Sequence, residues 1–260
     1  PALLLVHGLA HWTQAAWTRL AELLDPSLRI VAFDLPGFGA SDKPDVAYDA
    51  AVFLAAMQRV VDAKLPERFA LCGHSLGGAI ATRYAASHPQ RITHLTLIAP
   101  AGFAARRIYR LLGSRAGRFV LSLRPPKGIV RRIIHGAIVD AASITPQEKA
   151  QSIAFTRDPA FRRAFSRIYR AALLEFARDG RAARLSAYTG PVLIAWGRHD
   201  AYIPIRALDT AHAIYPQAAI EVFERSAHLP MIEEPRPLAA AMNAALTSLP
   251  SALHPRCPQK

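Results

Sequence analysis

Short apolar runs recur along the chain, and longer stretches with helical spacing of apolar residues separate them. The runs lie at residues 2–6, 28–33, 69–72, 92–99, 191–196 and 219–223, and the helical stretches at 12–24, 48–64 and 79–87. Runs this short favour strands, and those at 2–6 and 28–33 are expected to be buried on both faces. Because strands that alternate with helices need crossover connections, the pattern predicts an α/β fold with a mostly parallel sheet flanked by helices.

The sequence Gly-His-Ser-Leu-Gly-Gly at 73–78 stands between an apolar run and a helical stretch. A strand, a sharp turn and a helix form the context that a nucleophile elbow requires. Gly73 and Gly77 flank Ser75 two residues to either side, where a Cβ would collide with the crossing backbone. The turn therefore predicts a strained Ser75 whose side chain is exposed and faces the positive end of the following helix.

Three motifs occur in order in the first third of the chain, namely His7-Gly8-Leu9, Asp34–Gly39 with Ser41-Asp42, and Gly73–Gly78. Two later segments, 191–200 and 221–228, end in an aspartate and a histidine. Together these motifs resemble the α/β-hydrolase superfamily, in its branch of capped, esterase- or lipase-like serine hydrolases. Members of that family usually have an antiparallel hairpin before the His-Gly strand. Since those residues are missing here, the resemblance implies a sheet of six strands.

The resemblance also implies a catalytic triad in the family's order of nucleophile, acid and histidine. It places the nucleophile at Ser75, the acid at Asp200 and the base at His228. A second location that the family uses for the acid, residues 100–102, contains no carboxylate. His74 is expected to point away from Ser75, because side chains alternate at the turn.

An oxyanion formed at Ser75 needs two backbone N–H donors. One is Leu76, directly after the nucleophile, and by resemblance the other is Leu9, directly after His-Gly. A serine nucleophile argues against the dehalogenases and epoxide hydrolases of the superfamily, which use aspartate there. The sequence shows no metal-ligand cluster, glycine-rich dinucleotide loop or Cys-x-x-Cys pair, so we expect neither a metal nor a cofactor.

Residues 104–186, which we name the cap, fall between two predicted core strands, where this family usually inserts a helical cap. The resemblance implies a core of residues 1–103 and 187–250, and we expect the proline-rich tail 251–260 to be flexible. Seven apolar cap residues are expected to roof the Ser75 pocket and to favour an apolar acyl or alcohol group. They are Phe119, Val120, Leu121, Leu123, Ile133, Ile134 and Ile138.

Charge is distributed unevenly. The cap holds 18 Lys and Arg residues against five Asp and Glu, whereas the rest of the chain holds 14 of each sign, so the formal net charge of +13 lies on the cap. Three interpretations stay open: a solvated arginine-rich face, attachment to an anionic membrane surface, and recognition of an acidic substrate or partner. Nucleic-acid binding is not expected, because aromatic stacking platforms and reader motifs are missing.

The sequence thus predicts a cofactor-free serine hydrolase that acts on small carboxylic esters. A ring-cleavage hydrolase of carbon–carbon bonds shares this fold and triad, although that group commonly has asparagine where this chain has His74. A non-catalytic ligand receptor on a hydrolase fold is the alternative from another class. No signal peptide and no apolar run long enough to span a membrane is visible, so we expect a cytoplasmic protein. Peripheral attachment to a membrane is compatible with this expectation.

Overall fold

The computed structural model describes residues 1–9, 13–103, 114–179 and 188–247. The strands within them are β1 (Ala2–Val6), β2 (Arg29–Phe33), β3 (Phe69–His74), β4 (Ile92–Ile98), β5 (Val192–Gly197) and β6 (Ala219–Phe223). All neighbouring pairs are parallel, and the order across the sheet is β2-β1-β3-β4-β5-β6. The predicted six-stranded parallel sheet is therefore confirmed.

Ten helices lie in the described part of the chain. They are α1 (Thr13–Ala21), α2 (Ala50–Lys64), α3 (Leu76–Ser87), α4 (Arg115–Ser122), α5 (Lys127–Gly136), α6 (Pro146–Phe155), α7 (Pro159–Asp179), α8 (Ala207–Ile214), α9 (Pro230–Glu233) and α10 (Pro235–Thr247). None of these helices has the length and apolar character needed to cross a membrane. Short 3₁₀ turns at Pro89–Arg91 and Ala141–Ser143 complete the described helical structure.

Two hydrophobic clusters cover the two faces of the sheet. In β1, Leu4 and Val6 belong to one cluster with α2, α3, α7 and α8, while Leu3 and Leu5 belong to the other with α1, α9 and α10. Because both faces of β1 are covered, the strand is a continuous apolar run and not an alternating one. The prediction of burial on both faces is correct for β1.

The same prediction is wrong for β2. Arg29 is exposed, and the other four residues of the strand are only half-buried. The physical reason is position: among the described strands, β2 lies at the edge of the sheet and pairs only with β1. An apolar run alone does not distinguish an edge strand from a central one.

The described part of the cap packs onto both clusters. Phe161, Ala164 and Ile168 of α7 join the cluster under α2 and α3, whereas Ala137 and Ile138 join the cluster on the opposite face. The ends of the cap predicted from the sequence, and the tail 251–260, lie outside the described residues.

An ion pair adds a polar attachment between the cap and the core. The Arg19 guanidinium on α1 donates to both carboxylate oxygens of Glu148 on α6, at 2.8 and 3.0 Å. It also donates to the Ser143 carbonyl oxygen at 2.5 Å. This bidentate geometry fixes the direction in which α6 leaves the core.

The expectation that seven apolar cap residues roof the Ser75 pocket is wrong for most of them. Phe119, Val120, Leu123 and Ile133 are exposed, Leu121 and Ile134 are half-buried, and Ile138 alone of the seven is buried. The cause is the orientation of α4, whose buried residue is Gly117, so the larger apolar side chains face solvent.

The crossing of β3, α3 and β1 at the elbow leaves no room for a side chain at Gly77. A Cβ there would overlap the Val6 carbonyl oxygen and lie 2.5 Å from that of His7. Because both atoms are backbone, we predict that Gly77→Ala lowers the free energy of unfolding by about 2 kcal/mol or more. Urea denaturation at neutral pH measures this change.

Gly128→Ala is the matched control, since Gly128 is the second residue of α5 as Gly77 is of α3. A Cβ at Gly128 would meet nothing within 4 Å. This variant should keep the wild-type stability or gain up to about 1 kcal/mol. Equal effects of the two substitutions would show that the elbow is not tightly packed.

Candidate active site

Ser75 stands at the carboxyl end of β3 in a strained backbone conformation. Its φ of 51° and ψ of −115° are rarely adopted by residues other than glycine. Three hydrogen bonds hold this conformation: the Ser75 N–H donates to Ile98 O at 3.0 Å, and Ser75 O accepts the N–H groups of Ala79 and Ala101 at 3.1 and 2.8 Å. The predicted strain is present, but the predicted exposure is not, because Ser75 is only 7% exposed.

Asp200 and His228 form a buried hydrogen-bonded pair. The His228 Nδ1 lies 2.7 Å from Asp200 Oδ2, and the second carboxylate oxygen accepts the N–H groups of Tyr202 and Ile203, each at 2.8 Å. A carboxylate only accepts, so Nδ1 carries the hydrogen and Nε2 is left as the basic nitrogen. This is the tautomer that a general base needs.

His74 connects the elbow with the loop that contains His228, a role that sequence reasoning missed. Its Nε2–H donates to the His228 carbonyl oxygen at 2.9 Å, and the two rings lie 4.7 Å apart. A Cβ added at Gly8 would lie 2.9 Å from Ser75 Cβ and 2.6 Å from His74 Nδ1. The side chains of His74 and Ser75 therefore both face Gly8, contrary to the expectation that His74 points away.

Two consecutive glutamates hold the loop before His228. Glu233 accepts the Ala227 N–H at 2.7 Å, while Glu234 accepts the Arg225 N–H at 3.0 Å and the Ser226 hydroxyl at 2.8 Å. Burial raises the pKa of Glu233, and its hydrogen bonds from backbone N–H groups oppose that rise. The sequence shows no sign of this arrangement, because the loop and the two carboxylates meet only in three dimensions.

The cap contacts the same loop directly. Glu233 also accepts the N–H groups of Val139 and Asp140 from the cap, at 2.5 and 3.2 Å. The His228 N–H donates to the Ala137 carbonyl oxygen at 3.0 Å. The segment that follows α5 is thus bonded to His228 directly and to Ala227 through Glu233.

Tyr202 is a second residue that the sequence did not indicate. Its ring meets the His228 ring edge-on, at 5.4 Å between centroids, and its hydroxyl donates to the Ile133 carbonyl oxygen on α5 at 2.5 Å. Burial raises the Tyr202 pKa to about 12, so the hydroxyl stays protonated at neutral pH. Tyr202 therefore packs on the histidine while it holds the end of α5.

The two predicted oxyanion donors belong to segments that meet at Ser75. Leu76 is the first residue of α3, and Leu9 follows Gly8, which lies against Ser75. Among hydrogen bonds between described residues, neither the Leu9 nor the Leu76 N–H donates to a backbone carbonyl. The assignment of these two N–H groups to an oxyanion hole therefore stays a prediction.

His7 fixes the turn that leads to Leu9. Its Nδ1 lies 2.8 Å from Gly8 O, and its Nε2 accepts the Leu35 N–H at 2.9 Å. Because Nε2 accepts, Nδ1 carries the hydrogen and donates, and the ring is neutral. Burial lowers the His7 pKa from 6.5 to about 4. The searched part of the chain contains no group of three His, Cys, Asp or Glu residues that could hold a metal ion.

Comparison with known proteins identifies the family. Residues 1–131 match the family described as alpha/beta hydrolase fold. The chain is also 30% identical over 251 residues to an uncharacterised protein of Mycobacterium tuberculosis, an alignment that covers 90% of this chain and 72% of the relative. The chain belongs to the alpha/beta hydrolase fold family.

Two further proteins are similar to nearly the whole length of this chain. A pimeloyl-[acyl-carrier protein] methyl ester esterase of Nitrosomonas europaea is 28% identical over 246 residues, which cover 94% of this chain and 95% of the esterase. The crystal structure of a membrane phospholipase A, described as a bacterial virulence factor, has a TM-score of 0.77 and 26% identity. That comparison covers 97% of this chain and 80% of the phospholipase chain.

The depressed His7 pKa makes stability depend on pH in one direction. Between pH 6.5 and 4 the unfolded state binds the proton and the folded state does not, so acidification destabilises the fold. The shift corresponds to about 3 kcal/mol across this window. We predict that His7→Gln removes about this much of the fall in unfolding free energy between pH 7 and pH 4, measured by urea denaturation at a series of pH values.

His94 provides a comparison, because burial lowers its pKa to about 4 as well. His94→Gln should remove a separate part of the same pH dependence, and the two effects should add in the double variant. A pH dependence that His7→Gln leaves unchanged would contradict the neutral, hydrogen-bonded state of His7.

Proposed function

We propose that this chain is a serine hydrolase that cleaves carboxylic esters with an apolar acyl or alcohol group through an acyl-enzyme. The observation that carries the proposal is the Asp200–His228 hydrogen bond of 2.7 Å, buried beside the strained elbow that presents Ser75. The His74 ring, directly before Ser75 in the chain, lies 4.7 Å from the His228 ring, which brings the pair to the elbow. Strain at a non-glycine residue is typical of functional sites.

The proposed reaction begins when Ser75 Oγ attacks the ester carbonyl carbon and His228 Nε2 takes the serine proton. The carbonyl oxygen becomes an oxyanion that accepts the N–H groups of Leu9 and Leu76. His228 then gives its proton to the leaving alkoxide, which departs as an alcohol. Asp200 holds the imidazole in one tautomer and stabilises the imidazolium that forms.

Water completes the cycle by the same steps. His228 takes a proton from water as its oxygen attacks the acyl-enzyme carbonyl, and the second oxyanion uses the same two donors. Collapse of this intermediate returns the proton from His228 to Ser75 Oγ and releases the carboxylic acid. No cofactor is required for either half of the reaction.

Aromatic side chains beside the oxyanion turn support an apolar substrate group. The Phe38 ring meets the His7 ring edge-on at 5.3 Å and lies 6.2 Å from the Phe161 ring on α7. Phe155 and Phe165 lie 5.6 Å from Phe161 on its other sides. The similarity to a methyl ester esterase and to a phospholipase supports the same substrate class.

The experiment for this proposal is turnover of p-nitrophenyl esters of graded acyl length. We predict that Ser75→Ala abolishes turnover of every ester, because the nucleophile is lost, and that it leaves the circular dichroism spectrum unchanged. A fluorophosphonate probe should label wild-type protein once, at Ser75, as measured by mass spectrometry of the labelled peptide.

Ser87→Ala is the control, since Ser87 is an exposed serine on α3. It should retain wild-type turnover and labelling. Ester turnover that survives Ser75→Ala would contradict the assignment of the nucleophile. One equivalent of product without further turnover would support the receptor alternative, and inactivity on all esters would favour the carbon–carbon bond hydrolase.

The role of Asp200 gives a second prediction. Asp200→Asn replaces the acceptor Oδ2 with an amide and leaves His228 in the wrong tautomer. We expect kcat to fall by about 10⁴-fold, as it does in serine proteases when the triad carboxylate is lost. Assays with the preferred ester measure kcat. Asp209→Asn is the control, since Asp209 is an exposed carboxylate on α8, and this variant should retain wild-type turnover. Near-normal turnover of Asp200→Asn would place the triad acid elsewhere.

A further inference from the structure

The exposed large apolar side chains of the described residues are concentrated in one segment. Six of eight lie between residues 119 and 139, namely Phe119, Val120, Leu123, Ile129, Ile133 and Val139. Phe119 is 67% exposed and Val120 60%. Single exposed apolar residues are ordinary, but a succession of this kind marks an interaction surface.

Helix α4 is turned with its apolar side outward. Phe119 and Leu123 are one turn apart, and Val120 lies beside them on the same face of the helix. The opposite side contains the buried Gly117 and the half-buried Leu121. A surface helix normally directs its apolar stripe into the core, so this orientation leaves three large side chains without a partner in the described fold.

Helix α5 continues the pattern. Ile129 and Ile133 are one turn apart and both exposed, while Val130 between them is buried. Only four residues, 123–126, connect α4 to α5. The exposed apolar residues of the two helices are therefore close to one another in the sequence. We name Phe119, Val120, Leu123, Ile129 and Ile133 the outer apolar face.

Basic residues surround this face. The segment 114–139 contains six Lys and Arg residues and no Asp or Glu. Five of the six are exposed, namely Arg115, Arg124, Lys127, Arg131 and Arg132. On the helices, Arg115 neighbours Phe119 at i and i+4, and Arg132 neighbours Ile129 at i and i+3. The charges therefore rim the apolar side chains.

The outer apolar face adjoins the candidate active site. Ile133, at one end of the face, accepts the Tyr202 hydroxyl through its carbonyl oxygen, and Tyr202 packs on His228. Four residues further on, Ala137 accepts the His228 N–H. Helix α5 and the residue directly after it are thus hydrogen-bonded to Tyr202, which packs on the histidine, and to the histidine itself.

We propose that the outer apolar face and its basic rim dock on an anionic phospholipid bilayer. Apolar side chains enter the acyl boundary of a bilayer, and arginine and lysine meet its anionic headgroups. An acidic protein would satisfy the charges but would not require a face of phenylalanine, valine, leucine and isoleucine. A bilayer supplies both the apolar phase and the negative charge, so it is the occupant that matches both observations.

The proposal rests on binding alone and does not depend on ester hydrolysis. Each basic residue close to an anionic surface strengthens binding about fivefold. Salt shortens the reach of this attraction to about 8 Å at physiological ionic strength. Binding should therefore require anionic lipid, fall with added salt, and depend on the apolar residues as well.

The test is co-sedimentation of the full chain with vesicles of phosphatidylcholine, with and without phosphatidylglycerol, over a series of salt concentrations. Wild-type protein should bind the anionic vesicles at least tenfold more tightly than the neutral ones. Phe119→Ser with Leu123→Ser should weaken binding to anionic vesicles at least tenfold. Arg115→Gln with Arg124→Gln and Arg132→Gln should do the same and should flatten the salt dependence.

Val46→Ser with Ile220→Ser is the matched control, because these are the two exposed large apolar residues outside the cap among the described residues. It should bind like wild type, and circular dichroism should show that all variants are folded. Equal binding to both kinds of vesicle, or binding to neither at low salt, would overturn the proposal. Binding that polyglutamate competes away and that Phe119→Ser with Leu123→Ser does not weaken would indicate an acidic protein partner instead.

Discussion

The rest of the site is arranged around the hydrogen bond from His228 to Asp200. Burying a carboxylate without hydrogen-bond partners is costly. This carboxylate is out of contact with bulk water, and it accepts hydrogen bonds from the imidazole, at 2.7 Å, and from two backbone N–H groups. Those donors come from the loop after β5, and the histidine comes from the loop after β6. Neighbouring parallel strands bring the two loops to one edge of the sheet, so the pair requires this strand order.

Much of this arrangement could be predicted from the sequence, because it depends on local features. The six strands are short apolar runs, and the three site residues each follow one of them: Ser75 after β3, Asp200 after β5 and His228 after β6. Parallel strands end at the same edge, so residues that follow them converge without knowledge of any side-chain contact. The elbow likewise depends on residues within three positions of Ser75, where glycine spacing is a direct steric requirement.

What could not be predicted depends on contacts between distant parts of the chain. His74 donates to the His228 carbonyl oxygen across 154 positions of the chain, and Glu233 accepts N–H groups from both the loop and the cap. Periodicity reveals that α4 is amphipathic, but it does not reveal which side meets the protein. The family resemblance implied that the apolar side meets the pocket, whereas α4 packs on α7 with Gly117 inward and Phe119 outward.

The outward orientation of α4 has a physical consequence for the site beneath it. A rotation of α4 that buried Phe119 against the core would stabilise the fold, because it would remove apolar surface from water. The exposed Phe119 side chain forgoes this stabilisation. Helix α5, which continues the exposed apolar side, and the residues after it supply Ile133 O to Tyr202, Ala137 O to the histidine, and two N–H groups to Glu233. If α5 repacked to hide Ile129 and Ile133, it would have to break the bonds made by Ile133 O and Ala137 O, which hold Tyr202 and the histidine loop. The bonds that hold the histidine loop therefore also hold the apolar side of α5 outward. The position of His228 depends on a segment whose outer apolar side chains are exposed to solvent.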